Sequence, residues 1–89
     1  MRRVKVIISG RVQGVYFRYF TVRKAKELGV VGSVRNLDDG RVEAIAQADE
    51  AVLKKFIEWC HKGPATARVD KVELSELGVD VTLTDFVRN

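Results

Sequence analysis

Two side chains and one glycine-bearing stretch carry the chemistry that this sequence offers. The stretch is Gly10-Arg11-Val12-Gln13-Gly14-Val15-Tyr16-Phe17-Arg18. An apolar alternating run, Val4 to Ser9, precedes it, and a helical pattern from about Tyr19 to Leu28 follows. A glycine loop that leads from a strand into a helix lets consecutive backbone N–H groups converge. The helix N-terminus adds free donors and a partial positive charge. Arg18 adds a planar fork of donors suited to phosphate. The stretch is therefore a candidate anion site. No Gly-Lys-Ser/Thr follows, so it is not a nucleotide P-loop. Gly10 and Gly14 stand four apart with no third glycine after them, so it is not a dinucleotide fingerprint either. On spacing alone, an ordinary strand-to-helix connection with a surface arginine accounts for it equally well.

Asn36 is the second candidate. It stands at the end of Val30-Val31-Gly32-Ser33-Val34-Arg35-Asn36, a stretch rich in β-branched residues that reads as the second strand. An arginine that holds a phosphoryl group and an amide that positions a water make a minimal hydrolytic site. Spacing does not establish that the two meet.

The elements that would bring them together are legible in outline. Val4, Val6 and Ile8 form the buried face of the first strand. Phe17, Thr21, Ala25 and Leu28 form one stripe of the first helix, with Gly29 at its C-terminal stop. Leu37-Asp38-Asp39-Gly40 is a hairpin turn, and Arg41 to Gln47 returns as the third strand, with Val42, Ala44 and Ala46 on one face. Asp49 is the expected N-cap of a second helix carrying Val52, Leu53, Phe56, Ile57, Trp59 and Cys60, which Gly63-Pro64 ends. Strand pattern resumes within Val69 to Leu77. Val79, Val81 and Leu83 then alternate, and Phe86 falls out of phase, so a bend is expected near Thr84-Asp85.

The order β-α-β-β-α-β, with an extra strand or long hairpin at the end, predicts an α+β, ferredoxin-like split βαβ sandwich. Its sheet is antiparallel, with four to five strands and both helices on one face. The first two strands of such a unit run parallel, so Arg18 and Asn36 can fall at the same edge of the sheet.

The 89 residues make one domain, spanning 1–89. A single cysteine excludes an internal disulfide, and one cysteine with one histidine is too few for a His/Cys metal site. Asp38 and Asp39 leave only a carboxylate-bound magnesium conceivable. No stretch has signal-peptide or membrane-spanning character, so a cytoplasmic protein is expected. The net charge of +4 favours anionic partners without choosing among them, because the basic residues are scattered.

Gly10 to Arg18 resembles the first signature of the acylphosphatases. Gly32-Ser33-Val34-Arg35-Asn36, followed by Gly40-Arg41-Val42-Glu43, resembles the second. Gly63-Pro64, Ala67-Arg68-Val69-Asp70-Lys71-Val72 and Thr84-Asp85-Phe86 are similar to the family's later segments, so the likeness covers essentially the whole chain. Ser33 departs from it, standing where the family usually has an aromatic residue. The resemblance implies hydrolysis of a small acyl phosphate to a carboxylate and inorganic phosphate. It assigns phosphate binding to Arg18, orientation of the water to Asn36, and the phosphate cradle to the backbone amides of Val12, Gln13, Gly14, Val15, Tyr16, Phe17 and Arg18. It also implies no metal, no organic cofactor and a monomer.

Two other functions compete. RNA-recognition domains of this topology stack bases on aromatics of strands one and three. Val4 to Ser9 and Arg41 to Gln47 contain none; Tyr16, Phe17, Tyr19 and Phe20 lie in the loop and helix instead. A non-catalytic anion sensor would keep the loop but would not need Asn36. The remaining polar or reactive residues have structural readings. His61 interacts with carbonyls at a helix end, Cys60 is a small buried hydrophobe, Trp59 packs, and Asp38 and Asp39 form the turn.

Overall fold

A computed structural model describes all residues from Met1 to Asn89. The elements are β1 (Arg2–Arg11), α1 (Phe17–Leu28), β2 (Val31–Asn36), β3 (Val42–Ala48), α2 (Glu50–Lys62), β4 (Arg68–Leu77) and β5 (Phe86–Arg88). The strands form one sheet in the order β4-β1-β3-β2-β5. β1 and β2 both pair antiparallel with β3 and so run parallel to each other, as the split βαβ order requires.

Alternation dictates the core. Val4, Val6 and Ile8 of β1 are buried together with Val34 of β2 and Val42, Ala44 and Ala46 of β3. They form an apolar layer beneath Phe17, Thr21 and Ala25 of α1 and Leu53, Phe56 and Cys60 of α2. The Thr21 hydroxyl donates to the Phe17 carbonyl at 2.7 Å, which satisfies the one buried polar group on that helix stripe. Phe56 meets Phe86 of β5 at 5.8 Å between ring centroids, and truncating either ring to Ala would cost about 3–5 kcal/mol. Asp49 occupies the N-cap of α2. Its carbonyl accepts from Leu53 N–H at 2.8 Å, but its carboxylate makes no cap bond.

The structure corrects several boundaries. Gly10 and Arg11 belong to β1, whose pairing with β4 shifts by a bulge after Ser9. α1 begins at Phe17, so Phe17 and Arg18 lie in its first turn. Arg41 lies in the turn, and β3 starts at Val42.

The largest correction is at the C-terminal end. Val79, Val81 and Leu83 are not strand: β5 holds only Phe86 to Arg88, and it pairs parallel with β2, giving the antiparallel sheet one parallel edge. The chain leaves β4 at one edge and must reach the opposite edge, so residues 78–85 cross the end of the sheet instead of joining it. Asp80 shapes the crossing by accepting from the backbone N–H and hydroxyl of Thr82. Val79 and Val81 stay exposed, so their alternation has no buried face to serve.

Candidate active site

Register places the two candidate residues. Val42 of β3 faces Ile8 of β1 on one side and Asn36 of β2 on the other. The chain that continues past Ile8 therefore emerges at the end of the sheet where β2 stops. There it forms the loop from Val12 to Tyr16 and turns into α1. Val12 and Val15 point into the core and pin the loop from below.

Within the loop Gly14 (φ 72°) and Tyr16 (φ 62°) are both left-handed. That conformation is free of penalty for glycine but costs a tyrosine about 1–2 kcal/mol. Tyr16 is 74% exposed and is the N-cap of α1 without a side-chain cap bond, so no burial or capping of its ring offsets that strain.

The backbone donors of this segment are free. The first N–H that meets a protein acceptor is that of Phe20, which donates to the Tyr16 carbonyl at 3.1 Å. The N–H groups of residues 12–19 donate to none. A row of free amides that runs into a helix N-terminus has the geometry that suits an anion.

Two side chains hold the loop in place without using those amides. Gln13 Nε2 donates to the carbonyls of Leu37 (2.8 Å) and Arg41 (2.9 Å), both in the β2–β3 turn. The Thr66 hydroxyl, in the connection between α2 and β4, donates to the Val15 carbonyl at 2.7 Å.

Arg18 and Asn36 border the same cleft, of about 370 Å³, together with Val12, Gly14, Tyr16, Phe17, Tyr19 and Arg88. Arg18 Nη1 donates to the Asn89 carbonyl at 3.1 Å, which steadies the guanidinium from the β5 side. Asn89 is held in turn by its N–H, which donates to the Val34 carbonyl at 2.9 Å. Asn36 Oδ1 is buried and meets no donor from the protein's own groups. Of the residues expected in the cradle, Gln13 and Val15 do not line the cleft: the Gln13 side chain is bonded to the β2–β3 turn and Val15 is buried.

Arg88 joins the cleft although nothing in its local sequence marks it. Only the parallel pairing of β5, with Arg88 facing Val34, brings it there. Thr66, which anchors the loop without lining the cleft, is the other residue that local sequence did not announce. No carboxylate, histidine or thiol lines the cleft, so it offers positive charge and hydrogen-bond donors but no titrating base.

The other candidates fall outside it. Asp39 accepts from the backbone N–H (3.1 Å) and the Nε (2.8 Å) of Arg41 and serves the turn. His61 Nδ1 lies 3.0 Å from the Ile57 carbonyl one helical turn back. Trp59 packs on Phe17 at 5.6 Å between ring centroids. Cys60 is fully buried, and burial pushes its thiol up to about 12. β1 and β3 expose no aromatic ring, so the sheet offers no platform for stacking bases. No helix is long and apolar enough to cross a membrane.

Known proteins agree with this geometry. The sequence pattern of the acylphosphatase family matches residues 4–88. An acylphosphatase of Marinobacter nauticus is 50% identical over 86 residues, 97% of this chain and 94% of that protein. One of Methylococcus capsulatus is 46% identical over the same shares. The crystal structure of acylphosphatase from Bacillus subtilis superposes with a TM-score of 0.95 at 35% identity, covering 100% of this chain and 99% of that one. The chain, with free loop amides, an arginine and an asparagine gathered at one cleft, belongs to the acylphosphatase family.

Proposed function

We propose that Arg18 and the backbone amides of residues 12–18 hold the phosphoryl group of the acyl phosphate that this enzyme hydrolyses, and that Asn36 orients the attacking water. The observation that carries this reading is the sharing of one cleft by Arg18, Asn36 and a run of unpaired amides. The phosphoryl group enters with its oxygens on the amides and on the guanidinium fork. Both donor sets are fixed before the reaction, and charge stabilisation of this kind carries most of phosphoryl-transfer catalysis.

The water oxygen bonds to phosphorus, and the bond from phosphorus to the acyl oxygen breaks. The carboxylate leaves with that electron pair, and the water's proton passes to a phosphate oxygen. A carboxylate is a good leaving group, so a general acid is dispensable. An amide does not accept a proton near neutral pH, so Asn36 positions the water without serving as base. Its buried, unpartnered Oδ1 is satisfied by a donor that enters with substrate, and the water held beside the phosphoryl group supplies one. A monomer acting in the cytoplasm fits this small-molecule chemistry, and size-exclusion chromatography with light scattering checks the monomer.

The test compares Asn36→Ala with the parent on a small aromatic acyl phosphate. Turnover falls by roughly 10²–10³, the scale for a lost positioning or transition-state contact. The inhibition constant of inorganic phosphate stays near that of the parent, and the circular dichroism spectrum is unchanged. A folded Asn36→Ala enzyme with parental turnover rules out the role of Asn36.

A further inference from the structure

Gln13 belongs to the phosphate loop by sequence, yet its side chain serves another element. Its Nε2 donates to the Leu37 carbonyl at 2.8 Å and the Arg41 carbonyl at 2.9 Å. Two carbonyl acceptors call for an NH2 group, since an amide oxygen in that place would face two oxygens.

Both carbonyls already accept one N–H within the turn: Leu37 N–H donates to Arg41 at 2.8 Å and Gly40 N–H to Leu37 at 3.2 Å. Gln13 takes up a further lone pair on each. It thereby fixes the shape of the turn and its distance from the loop together. Leu37 follows Asn36 directly, so the peptide that Gln13 holds, between Leu37 and Asp38, is one residue beyond Asn36. No other hydrogen bond joins the loop to this turn.

We propose that Gln13 is a positioning residue that sets the separation between the phosphate cradle and Asn36. The rate of hydrolysis then depends on its side chain, whereas phosphate affinity does not. This inference rests on the reading of Asn36 as the residue that orients the water. The physical requirement is alignment. The phosphoryl group sits on the loop after β1 and the water sits on the end of β2, and attack succeeds only when the two are in line. A slip of about 1 Å between such partners can cost up to roughly 10²-fold in rate. Thr66 has a different task, because its bond to the Val15 carbonyl ties the loop to the connection after α2 and leaves the β2 side untouched.

The test combines three variants with turnover and phosphate inhibition as readouts. Gln13→Met keeps the length and removes the donors. Its turnover falls by roughly 10- to 100-fold, while phosphate inhibition holds within about twofold. In the Asn36→Ala background the same change costs less than about twofold, because no aligned water remains to be lost. Thr66→Val shows the opposite split: phosphate inhibition weakens, and the effect multiplies with that of Asn36→Ala.

Parental turnover in Gln13→Met overturns the proposal. So does a loss that appears in phosphate inhibition, or one that multiplies in full with Asn36→Ala. If Gln13→Met does not fold, Gln13→Asn decides on the same readouts, since its shorter amide cannot span both carbonyls. An Asn36→Ala enzyme with parental turnover removes the underlying reading. A slow Asn36→Ala beside a fast Gln13→Met removes only the role of Gln13.

Discussion

The loop from Val12 to Tyr16 and the crossing segment from Gly78 to Asp85 lie at opposite ends of the sheet, and they treat their backbone amides in opposite ways. The crossing segment pairs the backbone donors of Asp80, Thr82 and Leu83. Asp80 N–H donates to Gln47 Oε1 at 2.7 Å, and Gln47 Nε2 returns a bond to the Asp80 carbonyl at 2.9 Å. Thr82 N–H donates to the Asp80 carboxylate at 3.0 Å, and Leu83 N–H to its carbonyl at 3.4 Å. The loop from Val12 to Tyr16 is held through its Val15 carbonyl, the Gln13 side chain and two buried valines, and its amides stay free. A loop built only for stability pairs its polar groups. A loop built for an anion must be fixed by everything except the donors that the anion needs.

Breaking each end should therefore give different readouts, beginning with the largest. Arg18→Ala lowers turnover by roughly 10³, or about 4 kcal/mol of barrier, and weakens phosphate inhibition. Lys at the same position rescues poorly, because a point charge does not reproduce the fork. Steady-state kinetics on a small acyl phosphate checks both.

At the other end, Gln47→Ala removes a clamp that is 2% exposed, leaves Asp80 N–H without a partner and leaves the Asp80 carbonyl only its 3.4 Å bond from Leu83 N–H. Stability falls by about 2 kcal/mol, which lowers Tm by roughly 8–16 °C, while turnover of the folded enzyme is unchanged. Thermal melts paired with assays at 25 °C separate the two.

Gly14→Ala probes the loop backbone alone, since a Cβ there would meet nothing within 4 Å. The left-handed φ costs the variant about 1 kcal/mol and weakens phosphate inhibition. Tyr16→Gly relieves the same strain, so its Tm is no lower than the parent's.

The smallest effect concerns pH. Hydrogen bonds from the Thr82 hydroxyl and backbone hold the Asp80 carboxyl below its ordinary value. A depressed carboxylate pKa contributes stability above the unfolded value, near about 4, and loses it as pH falls through the folded value. Asp80→Asn therefore flattens the acid limb of a stability–pH curve. Turnover measured between about pH 5 and 8 stays level in both proteins, because the cleft has no carboxylate, histidine or thiol. Exhaustive chelation likewise leaves turnover unchanged, as neither proposed role calls for a metal.

What could be read from the sequence was what neighbours in the chain decide. Val4, Val6 and Ile8 alternate and are buried; Phe17, Thr21 and Ala25 recur at helical spacing and are buried. That Arg18 and Asn36 fall at one end of the sheet was legible because the βαβ order makes β1 and β2 parallel. The direction of the Gln13 side chain was not, since its acceptors lie 24 and 28 residues away. Thr66 reaches Val15 across 51 residues and Asn89 reaches Arg18 across 71, and no local pattern announces such pairs. Val79, Val81 and Leu83 misled for the converse reason. They have the alternation of a strand but lie where the chain must change edges, and topology overrode pattern.

Cys60 has a practical consequence. It is the only thiol in the chain, it has no accessible surface, and burial pushes it up to about 12, so the folded protein presents almost no thiolate to a reagent. A cysteine that reacts only when α2 leaves the sheet is a clock. With excess alkylating agent, the rate of labelling equals the rate at which the core opens, with no denaturant present. The same thiol is shielded from oxidants for as long as the helix stays docked, so chemical damage at this position records past openings of the molecule.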